Sequence, residues 1–500
     1  MEILMWIWNK NGFAVDLPWE FVEGARSFVP IVVWYLPLYS LFNNYDNTVS
    51  PTLLIKITRL YNFFIYFAIL FFYIKARVFP NSAKRKRNKV LFLIITSYVT
   101  IAYQSHSFSN GIETNLLLLS LWCIDKCADK APILSGSNCT NIGNKNILPW
   151  LCLGVLISIG VFNRITFIGF VILPLLVKLA RAHNFNQILI SLFTFAITSY
   201  LIILFDTKMY YKEWRQPHST TSPIIAPLNN FLYNIDIKNL QKHGVHMRLT
   251  HLFVNIPQLL GPLILVLFSV KFLYVLNDIH ILSIIGSLVI LSCFPHQELR
   301  FLIPLQPLFI ISIVKYCKII DNKGVIMKLS IIFNLLMYIL MGILHQRGII
   351  TIFDQYVHSN NNLSNIPQTN FIHIWWKTYS PPTWMYLNSN LEIYDTDPET
   401  ERIEQNLIFD DHHSAILNLK GTDITYVYEL FAEIHNKTNQ NFTIILPYSV
   451  NSVLLANNKN NTYTFEKKWN DIYSLDMDHF NFQDISSFKP GMVAYNVFIL

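Results

Sequence analysis

Roughly ten stretches of this chain are apolar over lengths approaching or reaching the ~20 residues that carry a helix across about 30 Å of hydrocarbon. That feature narrows the fold more than any other. The stretches run approximately Thr52–Ala76, Lys89–Tyr103, Ile112–Ile124, Leu148–Phe162, Ile165–Leu179, Gln187–Phe205, Gln258–Leu276, Ile279–Phe294, Leu302–Cys317 and Ile326–Leu344. A further apolar piece, Phe28–Phe42, is interrupted by Pro30 and Pro37 and suits an interfacial or re-entrant path better than a crossing. Composition agrees: of 500 residues, 52% are hydrophobic and only 14% charged, where a soluble chain carries roughly a quarter. The expected fold class is an all-α polytopic membrane protein with a smaller mixed α/β C-terminal region. Its expected parts are residues 1–51 as a loop with amphipathic or re-entrant helices, 52–346 as the multi-span domain, and 347–500 as the C-terminal region.

Basic residues in short loops set the expected orientation. The densest basic run, Ala83–Lys89, is placed in the cytosol, and counting crossings puts Lys126/Lys130, Val177–His183 and Asp321–Gly324 there too. The opposite, luminal face then holds the loop from Asp206 to Pro257, the opening "HQELR" and the tail. The tail is rich in Asn and in strand-like pieces such as "FTIILPYSV", and carries sequons at Asn362, Asn436, Asn441 and Asn460. Six scattered cysteines outline no disulfide framework, and the Cys123/Cys127 pair lacks a second ligand pair, so packing is the simpler reading. Nothing in the pattern points to nucleic acid or to an obligatory protein partner.

The stretch "PHQELRFLIPLQP" gathers His296, Glu298 and Arg300 between two strongly apolar runs. Ionisable groups at a membrane edge are costly, and function is the default reading for them. Others converge on the same face: Arg26 after "PWEF", Glu113 at a helix turn, Arg164 between two short helices, Asp206 at the end of a span, and His243, His246 and Arg248 ahead of the next. Taken singly, each is also explained by packing or by snorkelling to headgroups. Together with Lys208, Lys212, Arg215, Lys238 and Lys242, they outline a site for a phosphate-bearing ligand, because Arg and Lys clamp phosphate oxygens with charge-assisted bonds. No HExxH, P-loop or GxSxG motif lies on that face. The parts present suit proton abstraction and stabilisation of a phosphate leaving group. A transporter or lipid scramblase is the rival of another class. It would place charges in mid-span or show internal repeats, and neither is seen.

At these residues the sequence resembles the mannosyltransferases of glycosyltransferase family 22, in the GT-C superfamily. "HQELRFLIPL" is similar to that family's His-(Lys/Gln)-Glu-x-Arg-Phe signature. Gln297, "PWEF…ARSFVP", "SFSNGIETNLL", "FNRITF", "PLNNFLYN", "HGVHMRLTHLFVNIPQLLGP" and "WWKTYSPPTWM" resemble the branch that adds the fourth mannose to the glycosylphosphatidylinositol (GPI) anchor.

The resemblance implies a GT-C type helix bundle in the endoplasmic reticulum membrane, active on its luminal face. It implies dolichyl-phosphate-mannose as donor, no required cofactor or metal, and a GPI precursor glycolipid as acceptor, with an α1,2 linkage formed by inversion. Sister enzymes adding the third GPI mannose or extending the lipid-linked oligosaccharide remain alternatives. On this reading Arg300 and His296 contact phosphate or sugar and Glu298 fixes Arg300. Arg248 and Arg164 are further phosphate contacts, His243 and His246 meet hydroxyls, and Asp206 and Glu113 position the acceptor. "HMRL" stands where His-Pro-Arg-Tyr is expected, which relaxes a turn. The family's catalytic Asp follows a first transmembrane helix. Neither is found, so the base is expected to lie upstream of Met1, and the 500-residue form is expected to have little activity.

Overall fold

The computed structural model describes residues 2–8, 13–42, 50–80, 83–128, 147–180, 185–214, 222–241, 244, 246–267, 275–317, 324–358, 370–397, 400–409, 413–438, 440–458 and 461–499. His243, Lys242, Arg215, Asn362 and Asn460 lie outside them. The chain divides into two compact units: Met1–Pro18, Leu41–Lys56 and Ile339–Leu500 form one, and Trp19–Ser40 and Ile57–Tyr338 the other.

The second unit is helical. Its main helices are α1 (Val29–Phe42), α2 (Pro51–Tyr73, continued by a π-turn to Val78), α3 (Lys84–Ile95), α4 (Ser109–Ala128), α5 (Leu148–Asn163), α6 (Phe167–Leu179), α7 (Phe185–Trp214), α8 (Ile279–Cys293), α9 (Leu305–Tyr316) and α10 (Gly324–Met337). Three stretches, Pro51–Val78, Phe185–Tyr211 and Gly324–Leu344, are long and apolar enough to cross a membrane; several others are shorter. The Phe28–Phe42 piece forms one helix with Pro37 inside it.

Two expected spans are broken. Lys89–Tyr103 divides at Thr96–Tyr98 into α3 and the π-turn Val99–Gln104. The start of Gln258–Leu276 is a chain of short turns, Ile256–Leu260, Gly261–Leu263 and Ile264–Leu267. There Pro257 and Pro262 lack the N–H that a continuous helix needs. Gly261 takes φ +53, with Phe333 packed where a side chain would project.

Apolar helices gain little by burying hydrocarbon against one another in lipid, so close backbone approach and hydroxyl bonds do the joining. Between α5 and α7, a methyl on Gly154 would collide with Ser191 and Thr194. Ser191 Oγ donates to the Trp150 carbonyl at 2.6 Å, and Ser158 and Ser199 share a bond of 2.9 Å. Asn62 Nδ2 on α2 reaches Tyr35 Oη at 3.0 Å and the Ser105 and His106 carbonyls at 3.2 and 3.1 Å.

The other unit is built on a six-stranded sheet of order β2-β3-β1-β4-β6-β5, with β1 Ile372–Trp375, β2 Leu391–Asp395, β3 Ser414–Asn418, β4 Phe442–Pro447, β5 Tyr463–Asp471 and β6 Met492–Ile499. The first four strands in that order are parallel; β6 runs antiparallel to both its neighbours, β4 and β5. Every residue of β4 is buried, because alternate side chains feed two cores. Ile374, Leu417 and Ile444 pack with Val427, Leu430 and Phe431 of α11 (Ile424–Lys437). Trp375, Ile416 and Ile445 pack with Ile352, Phe353, Trp384 and Met385 on the other face. Asp423 caps α11 by accepting the Thr425 N–H at 3.2 Å. Sequon residues Asn436 and Asn441 are exposed at the α11–β4 connection.

Candidate active site

Four segments of the helix unit bring acidic and basic side chains to one place. The first begins at the short turn Trp19–Val22 and reaches Arg26 through Gly24, whose φ of +64 makes the reversal. Arg26 grips the Glu20 carboxylate with two parallel bonds of 2.8 and 2.9 Å and donates a third to the Asn163 carbonyl at 2.7 Å. Helix α7 holds this segment from behind: Asp206, fully buried, accepts the Phe28 N–H at 3.0 Å, and Tyr210 donates to the Arg26 carbonyl at 2.6 Å. Asp206 therefore caps α1, and Tyr210 fixes the Arg26 backbone.

The second and third segments meet where α5 ends and α4 begins. Arg164, in extended backbone just past α5, pairs with Glu113 at 3.4 Å. Glu113 is 1% exposed. It also accepts from Thr166 Oγ1 at 3.1 Å and from Asn110 at 3.5 Å. Burial lowers Arg164 to about 10 against the opposing pull of Glu113, still far above neutrality.

The fourth segment is the turn Pro295–Leu302 between α8 and α9. Here Glu298 is the hub. Its Oε1 meets His296 Nε2 at 2.8 Å and Arg300 Nη2 at 2.9 Å, and Arg300 Nε pairs with the other oxygen. His296 Nδ1 stands 3.0 Å from the Gly244 carbonyl, so acceptors face both ring nitrogens and imidazolium is the form that satisfies them. The bond to Glu298, against burial, lifts the His296 pKa above its ordinary value. Burial works against ionisation of Glu298, yet the His296 bond and the Arg300 charge draw its carboxyl down to about 2.

One ring joins the segments. Arg164 lies 4.9 Å over Phe301, Arg300 lies 5.7 Å from the same ring, and His296 meets its edge at 5.5 Å. The charges form one field: burial would raise the Glu20 carboxyl, but Arg26, then Arg164 and Arg300, hold it below the usual range. Three arginines and three glutamates thus share a site, with His296 bound to one of the glutamates.

The loop Gly244–His251 is fastened to this turn. His246 N–H donates to the Pro295 carbonyl at 2.8 Å. Gln297, 2% exposed, accepts the His251 N–H at 2.9 Å and donates to the Arg248 and Phe294 carbonyls at 2.9 and 3.1 Å. Gln297 is thus a clasp, a role its sequence position alone did not reveal. His246 lies beside His296, ring centres 6.0 Å apart. Arg248 is exposed, with no ion pair to another described residue. His243 lies outside the described residues.

Arg26, Glu113, Arg164, His246, His296, Glu298 and Arg300 are therefore brought together, while Asp206 supports from behind. Glu20, Asn163, Thr166 and Phe301 belong to the site and were not singled out from sequence. The six-residue Glu20–Arg26 spacing inside "PWEFVEGAR" was the available signal. Among the described residues, no group of three His, Cys, Asp or Glu side chains is arranged to hold a metal ion.

Residues 1–388 match the model of the Alg9-like mannosyltransferase family. The chain belongs to that family. It is 35% identical over 503 residues to GPI mannosyltransferase 4 of Saccharomyces cerevisiae, covering 97% of this chain and 91% of that protein. Against GPI mannosyltransferase 4 of Candida glabrata the figures are 35% over 480 residues, 94% and 88%; for Candida albicans they are 34% over 494 residues, 97% and 90%. The crystal structure of ArnT from Cupriavidus metallidurans bound to undecaprenyl phosphate is similar at TM-score 0.49 and 8% identity, over 99% of this chain and 92% of that one, a likeness too distant to carry an argument. As an Alg9-like mannosyltransferase the chain is a glycosyltransferase, and the arginine–glutamate array lies within the matched residues.

Proposed function

We propose that this chain transfers mannose from dolichyl-phosphate-mannose to the third mannose of a GPI-anchor precursor, at the luminal face of the endoplasmic reticulum membrane. The acceptor 2-hydroxyl attacks the donor's anomeric carbon from the face opposite the phosphate. The C1–O bond to phosphate breaks, its electron pair leaves with dolichyl phosphate, and the hydroxyl proton passes to a general base. Inversion follows from the single displacement.

The carrying observation is the His296–Glu298–Arg300 turn. The charge that develops in this step is on the leaving phosphate, so fixed positive groups aimed at it lower the barrier. Arg26 spends its guanidinium on Glu20 and the Asn163 carbonyl, and Arg164 is buried against Glu113. Arg300 is 44% exposed while still braced by Glu298, and the Glu298 bond favours the cationic form of His296 beside it. This pair is the phosphate contact, with Arg164 deepening the positive field. Glu298, with its pKa drawn to about 2, is too weak a base to take the hydroxyl proton near neutrality; its work is to hold Arg300. The names of the similar yeast proteins support the GPI acceptor over the lipid-linked oligosaccharide.

Arg300→Ala is expected to lower transfer about 10²–10³-fold, the usual loss for a preorganised charge-stabilising donor, with protein abundance unchanged. In a strain depleted of its own enzyme, the variant should fail to complement and a three-mannose GPI intermediate should accumulate. Normal growth removes Arg300 from the site; a two-mannose intermediate moves the chain to the sister reaction.

A further inference from the structure

The sheet unit carries the ends of two membrane-length helices. Ile339–Leu344, which closes the stretch Gly324–Leu344, belongs to it, and so does Pro51–Lys56, which opens Pro51–Val78. Leu54 and Ile55 pack against the core around Trp375, and Thr52 Oγ1 donates to Asp354 at 2.8 Å. In a chain that spans a membrane, this unit stands where those helices leave the bilayer.

The loop between β5 and β6 is fastened at one of those exits. Leu475 N–H donates to the Leu344 carbonyl at 2.7 Å, Gln346 N–H to the Leu475 carbonyl at 3.1 Å, and Gly348 N–H to Ser474 Oγ at 3.0 Å. The far end of the loop returns to the same place. Gly491 N–H donates to the Ser474 carbonyl at 2.6 Å, and a methyl on Gly348 would collide with Met492. Both stems therefore stand on the residues that follow Leu344. From Asp478, which Gln346 Nε2 meets at 3.4 Å, four residues lead to Phe482, roughly 14 Å at full extension.

The tip of this loop is apolar and held open. Phe482 is 89% and Ile485 87% exposed, and Ile472, Tyr473 and Phe488 are exposed with them. Hydrophobic side chains standing singly at a surface are ordinary, but a cluster on one loop marks a contact. Internal bonds keep the tip from folding them inward. Asn481 N–H donates to Ser487 Oγ at 2.8 Å, and that hydroxyl donates to the Asn481 carbonyl at 2.9 Å. Asp484 accepts the Ser486 N–H at 2.9 Å and Ser452 Oγ at 3.0 Å. Phe480 and Phe482 each rest on Phe488, with ring centres 4.9 and 5.5 Å apart. Near the stem, Arg347 stands 5.6 Å over the Tyr473 ring, and such amphipathic side chains suit the level of lipid headgroups.

We propose that this loop docks into the surface of the bilayer the chain spans, with Phe482 and Ile485 entering the headgroup layer and Ile472 and Tyr473 beside them. The docking rests on the membrane-spanning part of the reading above, and not on the identity of donor or acceptor. A bilayer is the apolar phase nearest both stems, and side chains entering it shed water without needing a shaped partner. Asn481, Asp484 and Ser487 spend their bonds on the loop itself. That suits lipid better than a protein interface, where hydrogen bonds accompany apolar contact. Together with the two helix ends, the loop gives the sheet unit a further attachment to the membrane.

The test places p-benzoylphenylalanine at Phe482, and separately at Ile485, in the full chain expressed in yeast microsomes. On irradiation the benzophenone bonds to whichever C–H lies against it, and mass spectrometry of the peptide identifies the adduct. A phospholipid adduct is expected at either position, and none from a probe at Ala432, on the exposed side of α11 and across the sheet from Ile352 and Phe353. An adduct with protein in place of lipid, a second copy of this chain included, overturns the proposal. So does a chain without any adduct, or one with as much lipid at Ala432. Should neither probe-bearing chain fold, the wild-type chain is irradiated with a phosphatidylcholine carrying a diazirine at the top of its acyl chain. Label on residues 480–488 is then expected, and label confined to the membrane-length helices overturns the docking. Alkaline carbonate extraction keeps the two readings apart. Release of the chain sinks the membrane-spanning reading and the docking together, whereas retention without a lipid adduct sinks the docking alone.

Discussion

In the sheet unit, β4 is covered on both faces by hydrocarbon, and backbone ladders to β1 and β6 satisfy its polar groups. In the helix unit, Glu113 is as deeply buried as those residues, but against Arg164, Thr166 and Asn110. The first arrangement needs only shape and apolar area. The second takes charge out of water, which costs several kcal/mol per ion before pairing repays it; replacing such a pair with well-packed apolar groups is often neutral or better. A buried charge array kept at one end of a helix bundle therefore makes poor sense as scaffolding and good sense as an instrument for handling an anion.

The largest effect should come from breaking a pair. Glu113→Ala leaves Arg164 buried without its carboxylate and is expected to destabilise the helix unit by about 3–5 kcal/mol, read by denaturation in detergent. Adding Arg164→Leu should recover most of that loss while leaving transfer abolished. If the double variant stays as unstable as the single one, the pair is structural and the contrast between the units weakens. Ile444→Ala is the matching change in the sheet unit. It should cost about 2–5 kcal/mol through lost burial and a cavity, yet leave the transfer rate per folded molecule unchanged. A fall in that rate would show that the sheet core also shapes the site. Gln297→Leu is smaller, about 1–3 kcal/mol, because the His251 N–H and the Arg248 and Phe294 carbonyls lose a buried partner. Proteolysis within the Gly244–His251 loop should then quicken; unchanged cleavage would remove the clasp.

Much of the array was legible because charge between apolar runs has few explanations: His296, Glu298 and Arg300 stand out in "PHQELRFLIP", as do Arg164 between two helices and Glu113 at a helix start. Glu20 was not, since it lies in a half-polar stretch with no periodicity and its role depends on Arg26 folding back through Gly24. Gln297 read as a variant letter because its partners, Arg248 and His251, come from a loop more than forty residues away. Asp206 read as an acceptor contact, whereas it caps α1 from α7, a contact across 178 residues that no local pattern encodes. The break around Gly261 escaped hydropathy, which counts apolar residues and ignores where proline withdraws an N–H; the break at Thr96–Tyr98 carries no proline to mark it. In the sheet unit, "FTIILP" announced a strand, but its neighbours, parallel β1 and antiparallel β6, lie too far along the chain to be paired from sequence.

The smallest effect is a pH dependence, and its sign is fixed by the two shifts in the Pro295–Leu302 turn. The folded-state pKa of His296 lies above its ordinary value of 6.5. Its contribution is complete below 6.5 and is lost as pH rises through the raised value. Glu298 moves the other way, from 4.5 to about 2, so its contribution is complete above 4.5 and is lost as pH falls toward 2. The His296–Glu298 pair therefore contributes fully between pH 4.5 and 6.5 and fades on both sides. Partial exposure of both groups keeps the amount near ~1 kcal/mol or less. Thermal midpoints of the detergent-solubilised protein should show a shallow alkaline decline that His296→Gln removes while the acid limb persists. If wild type and variant decline alike above pH 6.5, His296 is not the titrating group. The phosphate contact would then rest on Arg300 alone, and the array would carry one positive charge fewer than its geometry implies.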